Sequence, residues 1–129
     1  MAAPNIVNVA TINGESQGYE LDTTLTTSLM TVASGKLVKV NRMQVANIDG
    51  SAAVDVTIQV TKATRTSAAT GSSISGATFK LANTVSVPAD AVLVISDTPI
   101  YLEEGDVLKG GASANSDATL YISYDVLDD

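Results

Sequence analysis

Cysteine, histidine and tryptophan are all missing from this 129-residue chain, and phenylalanine occurs once, at Phe79. Without cysteine there is neither a disulfide framework nor thiolate chemistry, and the redox compartment leaves no mark on the sequence. Without histidine the commonest general base and the commonest transition-metal ligand are gone together. Aromatic platforms for stacking sugars or single-stranded nucleic acid reduce to Tyr19, Tyr101, Tyr121 and Tyr124. Positive charge is also scarce, seven basic residues against fourteen acidic, for a net charge of −7. That balance opposes binding to a polyanion, so no direct nucleic-acid partner is expected. No apolar run approaches the ~20 residues that span a bilayer. The opening "MAAPNIVNVATING" lacks the basic and apolar regions of a signal peptide, so the expectation is a protein made and used in solution, with no membrane partner.

What is present is strand pattern. In "AVDVTIQVT", Val54, Val56, Ile58 and Val60 alternate with Asp55, Thr57, Gln59 and Thr61, which puts the aliphatics on one face of a half-buried strand. Asp49-Gly50 precedes it, a pair that suits tight hairpin turns, so the run "KLVKVNRMQVANI" is expected to lie antiparallel to it. That run changes phase, with Val38 and Val40 on one parity and Met43 and Val45 on the other. A bulge or a change of sheet near Asn41-Arg42 reconciles the halves. "TFKLANTVSV" aligns Phe79, Leu81, Val85 and Val87, Pro88-Ala89-Asp90 turns the chain, and "AVLVIS" reads as a strand covered on both faces or twisted into the core. "ATLYISYDVL" sets Leu120, Ile122, Tyr124 and Val126 on one side. Asn13-Gly14 is a further hairpin-like break. "LTTSLMTVAS" fits either a strand or one short helix, since Leu25, Leu29 and Val32 also share a helical face. About eight or nine strands with no sustained helical period predict an all-β fold, an antiparallel β-sandwich of jelly-roll type, as a single domain over residues 1–129. At this length folding buries roughly 65–70% of the extended chain's surface, enough for one core.

Chemistry-bearing clusters are few. Asp97, Glu103, Glu104 and Asp106 fall within ten residues. As oxygen donors they form a weak alternative calcium corner, but the spacing matches no calcium loop. A charged turn at Glu104-Gly105, with Asp106 solvated and Leu108 returning to the core, accounts for each residue. Serines and threonines abound, yet no histidine or S-x-x-K lysine stands ready to activate one. Gly110-Gly111 lacks the pattern of a phosphate loop and indicates a bulge or close backbone approach. Lys36, Lys39 and Arg42 form a small basic patch or a solvated strand face. The tyrosines are expected at the core or its rim. No catalytic, cofactor or metal site is therefore predicted, and no enzymatic activity. The segment Ala63 to Gly76, long and made of small polar residues, is expected to be a flexible surface loop. Its alternative role is as a contact loop, through Arg65, Thr66, Ser67, Thr70, Ser72, Ser73 and Ile74.

The stretches "MAAPNIVNVATING", "KVNRMQVANIDGSAAVDVTIQV" and "VSVPADAVLVISDTPIYLEEGDVLKGGASANSDATLYISYDVL" cover most of the chain. Together, and above all through "VPAD", "IYLEEGD", "ASANSD" and the closing "ISYD", the sequence resembles small β-rich virion structural proteins of tailed bacteriophages, cyanophages in particular. The resemblance implies a location in the virion and a structural role. The expectation drawn from it is an accessory protein that decorates or cements the capsid as a homo-oligomer, a homotrimer being favoured, with other virion proteins as partners. A neck, tail-tip or fibre component, or a receptor- or carbohydrate-binding module on the virion, is the alternative.

Overall fold

The computed structural model describes residues 10–24 and 26–128 and contains eleven strands: β1 (Thr11–Glu20), β2 (Thr27–Thr31), β3 (Lys36–Asn47), β4 (Val54–Thr61), β5 (Arg65–Thr66), β6 (Ser73–Ile74), β7 (Thr78–Val87), β8 (Val92–Ser96), β9 (Ile100–Leu102), β10 (Val107–Ala112) and β11 (Ala118–Asp128). All pairings are antiparallel. The first sheet runs β1-β11-β3-β8, with β9 also on β3 beyond the end of β8; the second runs β2-β10-β4-β7. Following the chain, β1, β3, β8/β9 and β11 belong to the first sheet and β2, β4, β7 and β10 to the second. This wrapped order is the double-sheet jelly roll. The fold class is thus the one the alternation predicts. Two-residue β5 and β6, and a strand position divided between β8 and β9, take the count past nine.

Period-two alternation places the core between the sheets. Val40, Met43 and Val45 of β3 and Leu120 and Ile122 of β11 meet Val54, Val56 and Ile58 of β4 and Leu108 of β10, all essentially sealed from solvent. The phase change in β3 is a bulge. Arg42 faces Ser123 and Val40 faces Tyr124, so Asn41 is the extra residue and both halves keep their aliphatics inward. Gly110 is a close approach, as expected: a Cβ there would sit 2.7 Å from Ile58 Cδ1 and 2.9 Å from Thr57 O.

Five local expectations are corrected. Asp49-Gly50 does not close a hairpin, because β3 and β4 belong to different sheets. The segment crosses between them, clasped by the buried Asn47, whose Nδ2 donates to Ala52 O at 2.9 Å, Val87 O at 3.0 Å and Pro88 O at 3.2 Å. Asn13-Gly14 makes no turn either; β1 passes straight through, paired with β11 at every residue from Thr11 to Glu20. The residues before Ala10 in that reading, and Leu25 of the helical alternative, lie outside the described residues, and Thr27–Thr31 is a strand. β7 carries two register shifts against β4, with Thr84 at φ 47°. These turn Ala82 inward and leave Leu81 exposed at the irregularity, while Phe79 keeps the face of Val85 and Val87, opposite Val60, yet is exposed near the start of the strand. β8 is an edge strand with one open face, so Val92 and Val94 are exposed and not covered on both sides.

Candidate functional site

The two regions that the sequence separates, the Ser/Thr-rich segment and the acidic corner, are joined in the structure. Lys62 N–H donates to Ala77 O at 2.8 Å, which carries the β4–β7 ladder one step beyond Thr61. Residues 63–76 therefore cap a long hairpin. Within the cap β5 pairs with β6, Gly71 takes φ 72° at the reversal, and buried Ser67 organises the tip. Ser67 N donates to Ser72 O at 2.8 Å, and Ser67 O accepts from Gly71 N at 2.7 Å. The segment is a hairpin held by backbone bonds, on the surface as its composition suggests but with a short strand pair of its own. Of the contact-loop candidates, Arg65 is half-buried and Ser67 buried, while Thr66, Thr70, Ser72, Ser73 and Ile74 are exposed on the cap.

The base of this cap is tied to the corner between β9 and β10. Asp106 is fully buried, against the expectation of a solvated turn. Its Oδ1 accepts from Ala63 N at 3.0 Å, and its Oδ2 from Glu103 N at 2.8 Å and from the Lys62 ammonium. Glu103 Oε1 lies 3.0 Å from both Lys62 Nζ and Arg65 Nε. Two cations and two carboxylates thus neutralise one another where the hairpin meets the sandwich. Glu104 instead accepts from Ser34 Oγ at 3.0 Å, and Asp97 is exposed in the break between β8 and β9. The four acids do not converge. Among the described residues no three acidic side chains are placed to hold a metal ion, which corrects the calcium corner. A signal for Asp106 was present: it shares the inward parity of Leu108, Gly110 and Ala112, with Lys62 just beyond the end of β4.

A second feature is the outward face of the first sheet. Register sets Gly18, Tyr121, Gln44 and Val94 in one row, and Gly14, Asp125, Lys39 and Tyr101 in another. Val92, Val94, Tyr101 and Tyr121 are each exposed by 42–54%. Tyr121 and Arg42 border a shallow depression of about 270 Å³ with Gln44 and Ser123. Tyr101 and Tyr121 lie on this open face and not at the core rim. Lys36 is excluded from the basic patch, because β3 parity turns it to the inner side, where it pairs with Asp128. Lys39 and Arg42 stay on the outer face.

The third feature is a cleft of about 320 Å³ where the sheets part between β1 and β2, lined by Asn13, Glu15, Gln17, Tyr19, Met30, Lys36 and Tyr124 among others. Burial, then the Glu15 carboxylate beside it, pushes the Tyr124 hydroxyl up to about 12, and burial also raises Tyr19. A proton held more tightly in the folded chain than in the unfolded one, where tyrosine titrates near 10, stabilises below that pH. The stabilisation is lost as pH rises toward about 12. Urea midpoints measured at about pH 9 and about pH 12 should fall less for Tyr124→Phe than for the native chain.

No protein-family model matches the chain, and no curated protein matches its sequence. Among solved structures, it is similar to the crystal structure of the infectious bursal disease virus VP2 subviral particle, at 8% identity and TM-score 0.40 over 92% of this chain. It is also similar to a structure of the infectious bursal disease virus Gt strain, at 12% identity and TM-score 0.31 over the same share. The chain spans about a third of the length of these structures, 33% and 31% respectively.

Proposed function

We propose that this protein is a structural component of a tailed-phage virion, an accessory protein that decorates or cements the capsid exterior. The observation that carries the reading is the outward face of the first sheet, where Val92, Val94, Tyr101 and Tyr121 stand exposed on a rigid jelly roll. Such a face is built for adhesion: apolar contacts at the centre, Lys39 and Arg42 for orientation, and strength gained from repetition over a lattice. Jelly rolls serve as capsid and lectin frames, and the sequence resemblance points to the first of these. The role is mechanical, and its partners are other virion proteins together with copies of the chain itself.

Quantitative mass analysis of virions carrying the chain tests this. The reading requires on the order of hundreds of copies per particle, as a lattice-wide protein must have. About a dozen or fewer would place the chain at the neck, tail tip or fibre instead. A receptor- or carbohydrate-binding role has one observation in its favour, the polar and tyrosine-lined cleft between β1 and β2. Adsorption of the purified protein to host cells or glycans, with no binding to capsids, would select it over cementing.

A further inference from the structure

Among the described residues the two sheets end in four edges, and three of them are blunted. β7 is twice bulged and carries Lys80. The β8/β9 edge is broken over Asp97–Pro99. β2 is five residues long and shifts register against β10. Short strands, bulges, lysine and proline are among the devices that prevent edge pairing, as are inward-pointing charges, of which β1 has Glu15 in the cleft. Of the first four, β1 has none. It runs ten residues in unbroken register with β11, contains neither lysine nor proline, and is exposed from Thr11 to Gly18.

The hydrogen-bonding direction of this edge is fixed. Leu21 N–H donates to Ala118 O at 2.9 Å, in phase with the ladder that pairs Glu20 with Thr119. Alternation then directs the N–H and C=O groups of Ile12, Gly14, Ser16, Gly18 and Glu20 away from β11, toward the open side.

We propose that β1 pairs antiparallel with β1 of a second copy of this chain, about a two-fold axis at Ser16. This register matches every outward-directed residue with another: Ile12 with Glu20, Gly14 with Gly18, and Ser16 with itself. Between them Glu15 faces Gln17 and Asn13 faces Tyr19, so no carboxylate opposes a carboxylate, which would be unfavourable across a ladder. The longest unbroken edge of the fold is thus self-complementary. The contact joins the first sheets of two copies into one continuous sheet, by the strand-addition mode of recognition. Being isologous, it closes with two copies, and so departs from the three-fold arrangement that the resemblance favours. It does not depend on the virion role.

Sedimentation analysis of the purified protein should give the mass of two chains. Ser16→Pro removes an outward N–H and leaves the backbone bonds to β11 in place, losing on that side only the exposed bond that the Tyr121 hydroxyl donates to Ser16 Oγ at 2.9 Å. The two symmetry-related hydrogen bonds lost should weaken self-association about tenfold or more. Ser16→Lys keeps the N–H and the strand but opposes two like charges, and should weaken association a few-fold. Because the chain has no cysteine, the thiol of Ser16→Cys can pair only with that of another copy. Under mild oxidation it should give a linked dimer, while Lys80→Cys on the β7 edge should not. A single-chain mass for the native protein, or a mass of two or three chains that neither Ser16→Pro nor Ser16→Lys disturbs, would overturn the proposal. Linkage of Lys80→Cys as readily as Ser16→Cys would do the same.

Discussion

Replacing Asp106 with alanine is expected to lower the unfolding free energy by about 3–5 kcal/mol, the range seen when a buried ion pair loses one partner. The cost has separate parts. The Lys62 ammonium, only 22% exposed, keeps Glu103 but loses its buried counter-charge. The N–H groups of Ala63 and Glu103 lose their acceptor, and buried donors left unsatisfied are expensive. Lys62→Met should cost less, because Asp106 would still accept both backbone bonds. The apolar pair Lys62→Met with Asp106→Leu should not recover native stability, although such swaps often do for simple ion pairs, because the two N–H groups remain orphaned. Urea denaturation of the three variants gives the order directly. The same substitution separates cap from sandwich, so protease cleavage within residues 63–76 should rise in Asp106→Ala before the rest of the chain is cut.

Asn47→Ala should be nearly as costly, at about 3 kcal/mol. Asn47 is 2% exposed and serves three carbonyls through its Nδ2, while its Oδ1 accepts from Asp49 N at 2.9 Å. One side chain therefore holds the crossing from β3 to β4 against the turn that follows β7. Aspartate in its place would keep the acceptor and lose the donors, placing a carboxylate against carbonyl oxygens. Asn47→Asp should thus be destabilised at least as much as Asn47→Ala. Thermal unfolding of both variants beside the native chain checks the order.

The fold class was readable because alternation is a local property. Val54 to Thr61 cannot place its aliphatics on one face in any other regular conformation. Even the bulge at Asn41 shows in the sequence, as a change in the parity of Val38, Val40, Met43 and Val45. Sheet membership is different, because a jelly roll sends most successive strands to opposite sheets, here with the β4–β7 hairpin as an exception. A dipeptide such as Asp49-Gly50 suits a hairpin locally, yet whether the next strand pairs or crosses is decided by long-range packing. The two irregularities of β7 were hidden for the same reason: Phe79, Leu81, Val85 and Val87 alternate without a break in sequence, and only the pairing with β4 turns Ala82 inward.

The candidate surfaces were legible in part. Composition marked residues 63–76 as unusual, but small polar residues read equally as a disordered loop or a hairpin tip. It is held by the bond of Ala63 N–H to Asp106 and by the ion pair of Arg65 with Glu103, some forty residues away in sequence. Asp106 was grouped with its acidic neighbours when its inward parity set it apart. The open outward face of the first sheet is not legible in the sequence because "AVLVIS" is apolar on both parities, and such a run is normally buried on both sides. Here one side is left open, with Val92 and Val94 beside Ala46 and Gln44.

A reconstruction of the intact particle tests the central claim most directly, that this jelly roll works by adhesion through the outward face of its first sheet. The account predicts many copies over the capsid, each with Val92, Val94, Tyr101 and Tyr121 covered by a neighbouring virion protein. Particles in which those four side chains face solvent in every copy, or from which the chain is missing, would contradict it.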